Sequence, residues 1–275
     1  IQPDKRHDWV NQAGGDFERL APLIDKATKV AKSARGERAV FKLFSLGLST
    51  SRDDWVYSSD PDSLKARISL LIDAYNTDLN RVRGEQRDVI DASQLDYSIK
   101  WTRATKASLQ RGESMAVSDC SATAFYRPFN KLTVYFDPRL IEVMYQQHRI
   151  FGTAGDRKVP CITFTDPGSQ KPFMALAANG VFDYHFVGAA AAANGLPRSR
   201  IDESGALVDN ITDWSLKQFK DQYTPGKGRA ARPITKDAIF HYVYAVLHDP
   251  VYREKYAQNL KREFPRIPFY ADFWT

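Results

Sequence analysis

Apolar residues recur at steps of three and four along residues 62–83, which is the spacing of a helix with one buried face. The apolar positions on this face are Leu64, Ile68, Leu71, Ile72, Tyr75, Leu79 and Val82. Pro61 suits the first turn of a helix, the side chains of Asp60, Asp62 and Ser63 can cap it, and Gly84 is a plausible stop. The pattern therefore predicts a long amphipathic helix over 62–83.

A second helix is predicted over about 96–111. Its exposed face would carry four cationic side chains, namely Lys100, Arg103, Lys106 and Arg111. Cations along one face of a helix can contact a polyanion, but they are also typical of a solvated helix surface.

Helical patterns return in the last third of the chain. One covers 210–223, with Trp214, Leu216 and Phe219 inward, and a basic linker follows at 225–233. Thr235 is the predicted cap of a helix that runs to about 248, and Asp249-Pro250 interrupts it before helix resumes over 251–264. This helix pair invites a helix-turn-helix interpretation. However, the second helix carries Tyr252, Tyr256 and Leu260 on one face, which is typical of a helix packed on a core.

Between 114 and 193, short β-rich segments are separated by Pro, Gly and Asp. Strands are predicted at 132–136, 161–165 and 184–188, and an earlier candidate lies at 40–45. The alanine run 189–193 suits a helix by propensity, but the glycines on either side favour the end of a buried strand. A loop is predicted from 195 to 209.

These elements predict an α+β fold with three parts in sequence. Residues 1–112 form a mixed, helical segment, 113–209 a mostly antiparallel β module, and 210–275 a C-terminal helical segment. The chain lacks an initiator methionine, which favours a piece of a longer protein.

Composition excludes some classes of protein and leaves others open. The chain is 43% hydrophobic and 26% charged, has no apolar run of membrane-spanning length, and has no apolar segment of a secretory signal near its start. Two cysteines, Cys120 and Cys161, are too few for a disulfide framework and are expected to be reduced in a cytosolic protein. The net charge of +6 permits a polyanionic partner without requiring one.

The sequence contains none of the common catalytic signatures. It has no nucleotide phosphate loop, no dinucleotide-binding glycine pattern, and no histidine or cysteine pair at metal-binding spacing. What remains are loops that mix basic, polar and aromatic residues, at 126–131 and 165–171. Such side chains can read base edges through bidentate hydrogen bonds, although ordinary hairpin loops have the same composition.

An ordered set of short motifs carries a resemblance to a known family. The motifs are Asp8-Trp9-Val10-Asn11-Gln12, Ser51-Arg52-Asp53-Asp54-Trp55-Val56-Tyr57, Ile99-Lys100-Trp101-Thr102-Arg103, Tyr126-Arg127-Pro128-Phe129, Gln170-Lys171-Pro172-Phe173, Asn210-Ile211-Thr212-Asp213-Trp214, the run from Phe240 to Tyr256, and Pro265-Arg266-Ile267-Pro268-Phe269. Over nearly its whole length, the chain resembles the C-terminal region of type ISP restriction-modification enzymes.

The resemblance implies a position within a longer polypeptide. Enzymes of this family carry a nuclease, a helicase-like motor, a coupler, an adenine-N6 methyltransferase and a target recognition domain, in that order. Residues 1–112 would trail or connect to the methyltransferase, and 113–209 would be the recognition module. The methyltransferase, motor and nuclease motifs are not in this sequence, so the resemblance implies a chain with no catalysis and no cofactor of its own. The parent protein would use S-adenosylmethionine, ATP and Mg²⁺ in the bacterial cytoplasm, away from any membrane.

The function that the resemblance implies is recognition of double-stranded DNA. The β module would dock in the major groove, phosphate contacts would fix its register, and the upstream methyltransferase would receive the target adenine. The parent's ATP-dependent cleavage would depend on the same recognition. Candidate DNA-contacting residues, chosen by type and placement, are Lys100, Arg103 and Lys106 on the helix, Arg127, Lys131, Gln170 and Lys171 on strand-end loops, and Arg198 and Arg200 for phosphate. Because Arg127 and Lys171 lie inside family motifs, they also suit structural roles.

Three alternatives stay open. In the first, the chain is a non-catalytic docking or structural module with a solvated basic surface. Salt dependence separates this from DNA binding, because neutralising phosphates makes affinity fall steeply with salt. In the second, the chain is a small hydrolase with an unrecognised site, which metal-dependent turnover of generic substrates would reveal. In the third, the reading frame begins near Ile1, and the chain is then a stand-alone specificity subunit.

Overall fold

The computed structural model describes residues 2–4, 7–10, 12–82, 95–223 and 233–274. Within them the helices are α1 (Lys26–Val30), α2 (Asp53–Val56), α3 (Pro61–Arg81), α4 (Arg103–Gln110), α5 (His148–Phe151), α6 (Asp213–Gln222), α7 (Lys236–His248), α8 (Pro250–Lys255) and α9 (Ala257–Arg262). The strands are β1 (Ala21–Pro22), β2 (Ser45–Leu46), β3 (Tyr57–Ser58), β4 (Ser121–Arg127), β5 (Asn130–Tyr135), β6 (Cys161–Thr165), β7 (Ala175–Ala178), β8 (Val181–Phe182), β9 (Ala193–Pro197), β10 (Ser199–Ile201), β11 (Leu207–Asp209) and β12 (Arg266–Ile267). With about 33% helix and 20% strand, the predicted α+β class is confirmed.

The chain forms two compact units that alternate along the sequence. The first unit comprises Ile1–Leu46, Val159–Asn179 and Val187–Thr275, and the second comprises Gly47–Lys158 and Gly180–Phe186. Strands of the expected β module occur in both units. The sequence predicts three consecutive parts, with boundaries at 112/113 and 209/210. The two units are instead defined by which residues pack together, so they do not test those boundaries, and the three-part division stays a prediction.

The first unit is built on an antiparallel sheet in the order β2-β9-β6-β7. All five residues of β6 are buried, including Thr163 and Thr165, as expected for a strand in the interior of a sheet. Helix α7 contributes Ile239, Val243 and Leu247 to the same hydrophobic core. Its start follows the sequence signal, because the hydroxyl of Thr235 accepts a hydrogen bond from the Ala238 N–H at 3.1 Å.

The second unit contains a sheet in the order β3-β5-β4-β8, in which only the β4–β8 pair is parallel among the described strands. Strands β4 and β5 form a hairpin whose turn is Pro128-Phe129. Helix α3 packs against β3 and β5, and every residue predicted for its apolar face is buried. The Asp60 side chain caps the helix by accepting from the N–H groups of Asp62 and Ser63, as the sequence indicates.

The predicted helix over 96–111 is wrong at its start, because α4 begins only at Arg103. The Asp96 carboxylate accepts the Ser98 N–H at 2.8 Å, and this local turn competes with helix. Thr102 then caps α4, since its hydroxyl accepts from the Thr105 N–H while its own N–H donates to Thr105 Oγ1. Lys100 therefore lies before the helix instead of on it.

Several predicted strand limits are also wrong. Only Ser45 of the 40–45 candidate lies in a strand, and 184–188 is a turn held by the Asp183 carboxylate, which accepts the His185 N–H at 2.8 Å. Ala193 alone of the alanine run is in a strand, and the supposed loop 195–209 contains the rest of β9 together with β10 and β11. Strand β9 is rich in small residues, which have a low intrinsic propensity for strands. It forms a strand because it pairs with β2 on one side and with β6 on the other.

At the C-terminal end, the predicted helix over 251–264 is divided at Tyr256 into α8 and α9. Tyr252, Tyr256 and Leu260 are buried, which confirms that this segment packs on the core. The predicted stop at Gly84 and nearly all of the basic linker 225–233 lie outside the described residues.

Candidate nucleic-acid interface

The exposed cations predicted near residue 100 come together around the start of α4. Lys100, Arg103 and Lys106 are all exposed. Lys100 and Lys106 border a shallow hollow of about 390 Å³ whose other lining includes Trp55, Tyr97, Ser98, Ile99 and Trp101. Tyr97 is 62% exposed. Within the described residues, no ion pair is formed by either lysine, so both ammonium groups are available to an anion.

Arg103 differs from its two neighbours because a buried carboxylate holds it. Its Nε donates to Glu142 Oε1, and the Ala104 N–H donates to Glu142 Oε2 at 3.2 Å. Burial raises the pKa of Glu142, but the hydrogen bonds from Arg103, Ala104 and Thr102 outweigh it, and the net pKa lies below the ordinary value. Glu142 thus anchors the N-terminus of α4, although the Arg103 side chain stays 87% exposed.

A second buried charge supports the same helix start. Arg52 is 2% exposed, and its Nη2 donates to the hydroxyls of Thr102 at 3.0 Å and Thr105 at 2.9 Å. Burial lowers the pKa of the Arg52 guanidinium to about 10, against an opposing effect of the Glu142 charge. The group stays protonated at neutral pH, and its contacts fix the end of α4 that carries the cations.

Arg127 is held by two carboxylates at the end of β4. Its Nη2 lies 3.2 Å from Asp53 Oδ2, and its Nη1 donates to Asp183 Oδ1. Its guanidinium carbon also lies 3.9 Å from the centre of the Tyr126 ring. With both ends of its guanidinium occupied, Arg127 is placed for a structural role more than for reading bases.

The two carboxylates also bind tyrosines. Tyr126 donates to Asp53 at 3.0 Å, and the buried Tyr57 donates to Asp183 at 3.1 Å. Burial raises the pKa of Tyr57 well above its ordinary value, and the Asp183 charge adds to this effect. Burial likewise raises the pKa of Asp183, opposed by the His185 N–H and by Arg127.

Beside this network lies a hollow of about 370 Å³ that is lined by both acidic and basic side chains. Its charged lining consists of Asp53, Asp54, Asp183 and Lys100. Three carboxylates against one lysine are a poor environment for phosphate, whereas a carboxylate is a suitable acceptor for an exocyclic amine of a base. The hollow therefore differs in chemistry from the cationic surface around Lys106.

The β4–β5 hairpin presents its own polar and aromatic residues. Lys131 is exposed, and its Nζ lies 4.8 Å from the centre of the Phe125 ring. The side chain of Phe129, at the tip, is 96% exposed. Phe129 is absent from the residues predicted to contact DNA. The signal that could have found it is the Tyr126-Arg127-Pro128-Phe129 motif, because proline suits the first position of a turn and leaves phenylalanine at the tip.

The remaining candidates belong to the first unit. Gln170 and Lys171 are exposed in the connection between β6 and β7. Arg198 pairs with Asp209 and, at 3.0 Å, with Asp237, so its charge is largely compensated. Arg200 is half-buried in β10, opposite Val208 of β11.

The structure thus brings Lys100 and Lys106 to one hollow, with Arg103 close by in sequence. Arg127 and Lys131 lie on either side of the turn of one hairpin. Gln170 and Lys171 share a loop, and Arg198 and Arg200 share the β9–β10 corner.

Over the described part of the chain, no group of three or more His, Cys, Asp and Glu side chains is arranged to hold a metal ion. No helix there is both long and apolar enough to cross a membrane.

Comparison with solved structures finds close similarity to parts of larger chains solved in complex with DNA. Over 99% of its length, the chain is 38% identical to part of the DrdV chain in a DrdV–DNA complex determined by electron cryomicroscopy, with a TM-score of 0.86. Over 98% of its length, it is 27% identical to a nuclease-deletion mutant of the Type ISP restriction-modification enzyme LlaGI in complex with a DNA substrate mimic, with a TM-score of 0.76.

The fold is also similar to that of the ATP-dependent Type ISP enzyme LlaBIII bound to DNA, at 24% identity and a TM-score of 0.75. The chain spans only 26%, 23% and 16% of the DrdV, LlaGI and LlaBIII chains. A search of curated proteins finds no match. The family model of the Type ISP C-terminal specificity domain matches residues 39–275. The chain therefore belongs to the family of Type ISP C-terminal specificity domains.

Proposed function

We propose that this chain recognises a specific sequence in double-stranded DNA. The observation that carries the proposal is the 38% identity, over 99% of the chain, to part of the DrdV chain solved in complex with DNA. The alternative of a docking module with a solvated basic surface has no comparable support. Catalysis would belong to other parts of the parent polypeptide.

The charge distribution of the second unit supports the proposal. Lys100 and Lys106 are exposed without an ion-pair partner among the described residues, and Tyr97 and Trp101 line the same hollow. Cations positioned on phosphates fix the register of a protein on a duplex, while nearby loops read the bases. The buried Arg52 and Glu142 side chains hold the start of α4 in place, so Lys106 on that helix extends from a fixed backbone.

We extend the proposal to the parent polypeptide. The recognised site would place the target adenine for extrusion into an upstream N6-adenine methyltransferase of the same polypeptide. Recognition would likewise permit ATP-dependent cleavage by the parent. S-adenosylmethionine, ATP and Mg²⁺ would be held by the other domains and not by this chain, and the parent would act in the bacterial cytoplasm.

The test is the affinity of the purified chain for duplex DNA as a function of salt. The double variant K100A/K106A should bind more weakly, and the slope of log affinity against log salt should become shallower by about 0.9 for each phosphate that the variant no longer neutralises. Lys65→Ala is the matched control, because Lys65 is an exposed lysine on α3. If the chain binds no duplex even at low salt, the proposal fails and the docking module becomes the better account.

A further inference from the structure

The tip of the β4–β5 hairpin combines high exposure with an unusual backbone. Phe129 is 96% exposed, and its φ of +63° lies in the left-handed region. Glycine or asparagine normally occupies such a position, and a bulky residue there is rare. A single exposed aromatic residue is ordinary on a protein surface. A bulky aromatic residue at a backbone position that disfavours it motivates the hypothesis that the ring itself binds a partner.

Contacts at the base of the turn hold the backbone that carries Phe129. Arg127 and Asn130 are cross-strand partners at the base of the turn, and Arg127 is tied to Asp53 and Asp183. Asp183 is buried, so the hairpin is anchored to the interior of the second unit. A ring presented on a fixed turn loses little conformational entropy on binding.

Two exposed cations belong to the same unit as the hairpin. Lys131 Nζ, on β5, lies 4.8 Å from the centre of the Phe125 ring. Lys158 Nζ lies close to Gly180, which also packs near Thr123 and Phe125 of β4. Both lysines are exposed. An exposed apolar tip on a unit that also presents ammonium groups matches a partner that carries stacked rings inside and negative charge outside, which is the chemistry of duplex DNA.

We propose that Phe129 is a wedge that inserts between adjacent base pairs of the bound duplex, while Lys131 and Lys158 contact the flanking phosphates. Apolar side chains inserted at a base step partly unstack it and kink the duplex. The wedge rests on the proposed DNA-binding function and adds a contact that does not depend on hydrogen bonds to base edges. It would favour a flexible pyrimidine–purine step at that point of the site.

The test compares wild type, Phe129→Ala and Phe129→Trp on duplexes in which 2-aminopurine replaces successive bases. Wild type should raise 2-aminopurine fluorescence at one step, where the stack opens. F129A should abolish this signal and bind about 5- to 150-fold more weakly, which corresponds to the loss of about 1–3 kcal/mol of stacking. F129W should keep both properties. Leu70→Ala, which removes another exposed apolar side chain of the same unit, should behave as wild type.

The outcomes separate the wedge from DNA binding itself. If wild type binds duplex and F129A matches it in affinity and fluorescence, the wedge is wrong and the proposed function stands. The wedge is also wrong if F129A binds weakly but wild type unstacks no step. If wild type binds no duplex at all, both proposals fail. Because the Phe129 side chain is almost fully exposed, thermal unfolding of F129A should match wild type.

Discussion

At the scale of single residues, the Ser51–Tyr57 motif is explained by internal contacts. Asp53 binds Arg127 and Tyr126, Tyr57 binds Asp183, and Arg52 is buried against the threonines at the start of α4. These interactions tie α2 to the β4–β5 hairpin and to the helix that carries the cations. Residues that identify the family are here part of the scaffold that positions the candidate interface.

Asn210 has a similar role in the first unit. Its side chain is fully buried, accepts the Leu43 N–H at 2.7 Å, and donates to the carbonyls of Leu43 and Pro197 at 2.8 Å. One amide thereby satisfies three backbone groups that no strand pairing covers. The place of Asn210 in the Asn210–Trp214 motif is therefore explained by folding.

The first prediction concerns Arg127. Arg127→Ala should lower the free energy of unfolding by about 3 kcal/mol, because the buried Asp183 loses the cation that compensates it. Urea unfolding measures the effect. Arg157→Ala, at an exposed arginine of the same unit, should change stability little. A variant of Arg127 that unfolds like wild type but loses DNA affinity would instead show that this guanidinium contacts DNA.

At the scale of elements, the sequence predicts those whose ends carry side-chain caps. Asp60 marks α3 and Thr235 marks α7, and both helices form as the apolar spacing indicates. The late start of α4 escapes prediction because a turn held by Asp96 replaces the expected first turns. Strand β9 escapes it because its small residues acquire strand structure only through partners distant in sequence.

The second prediction concerns the anchor of α4. Glu142→Gln should destabilise the protein by about 1 kcal/mol at neutral pH, because the helix terminus and Arg103 lose a negative charge. The folded pKa of Glu142 is lowered, so its contribution is complete above a pH of about 4.3 and is lost as pH falls through the folded value. Stability measured against pH should therefore differ between the two proteins at neutral pH and converge in acid.

The control for this pH series is Glu203→Gln, at an exposed loop glutamate. Its stability curve should follow wild type throughout. A constant difference between E142Q and wild type from neutral to acidic pH would contradict an electrostatic role for Glu142 and indicate a purely steric effect.

At the scale of the whole molecule, the chain returns to each of its two units after leaving it. Contiguous patterning cannot reveal this alternation, because it depends on which distant strands pair. The candidate interface is predictable only in part. Residue type and exposure identify Lys100 and Lys106, but the ion pairs that engage Arg127 and Arg198 depend on Asp183 and Asp237, which are far away in sequence. Phe129 can be placed at the tip of the hairpin only when the register between β4 and β5 is known.

The third prediction uses the two free cysteines as reporters of global unfolding. Cys161 is buried in β6, and burial raises the pKa of its thiol. Cys120 is half-buried, and burial raises its pKa as well. In native protein a thiol reagent should therefore modify Cys120 slowly and Cys161 hardly at all, with both reacting at once in denaturant. Mass spectrometry of timed samples measures this, and rapid modification of native Cys161 would contradict the buried strand.

Selection from a random duplex pool shows whether this chain recognises a specific DNA sequence. The purified chain is used to retain duplexes at low and then moderate salt, and the retained DNA is sequenced. If the chain reads a sequence, an asymmetric motif several base pairs long should be enriched and should survive the higher salt. Retention without enrichment would contradict sequence recognition by this chain and leave it only phosphate contacts. A lack of retention at low salt would contradict DNA binding altogether.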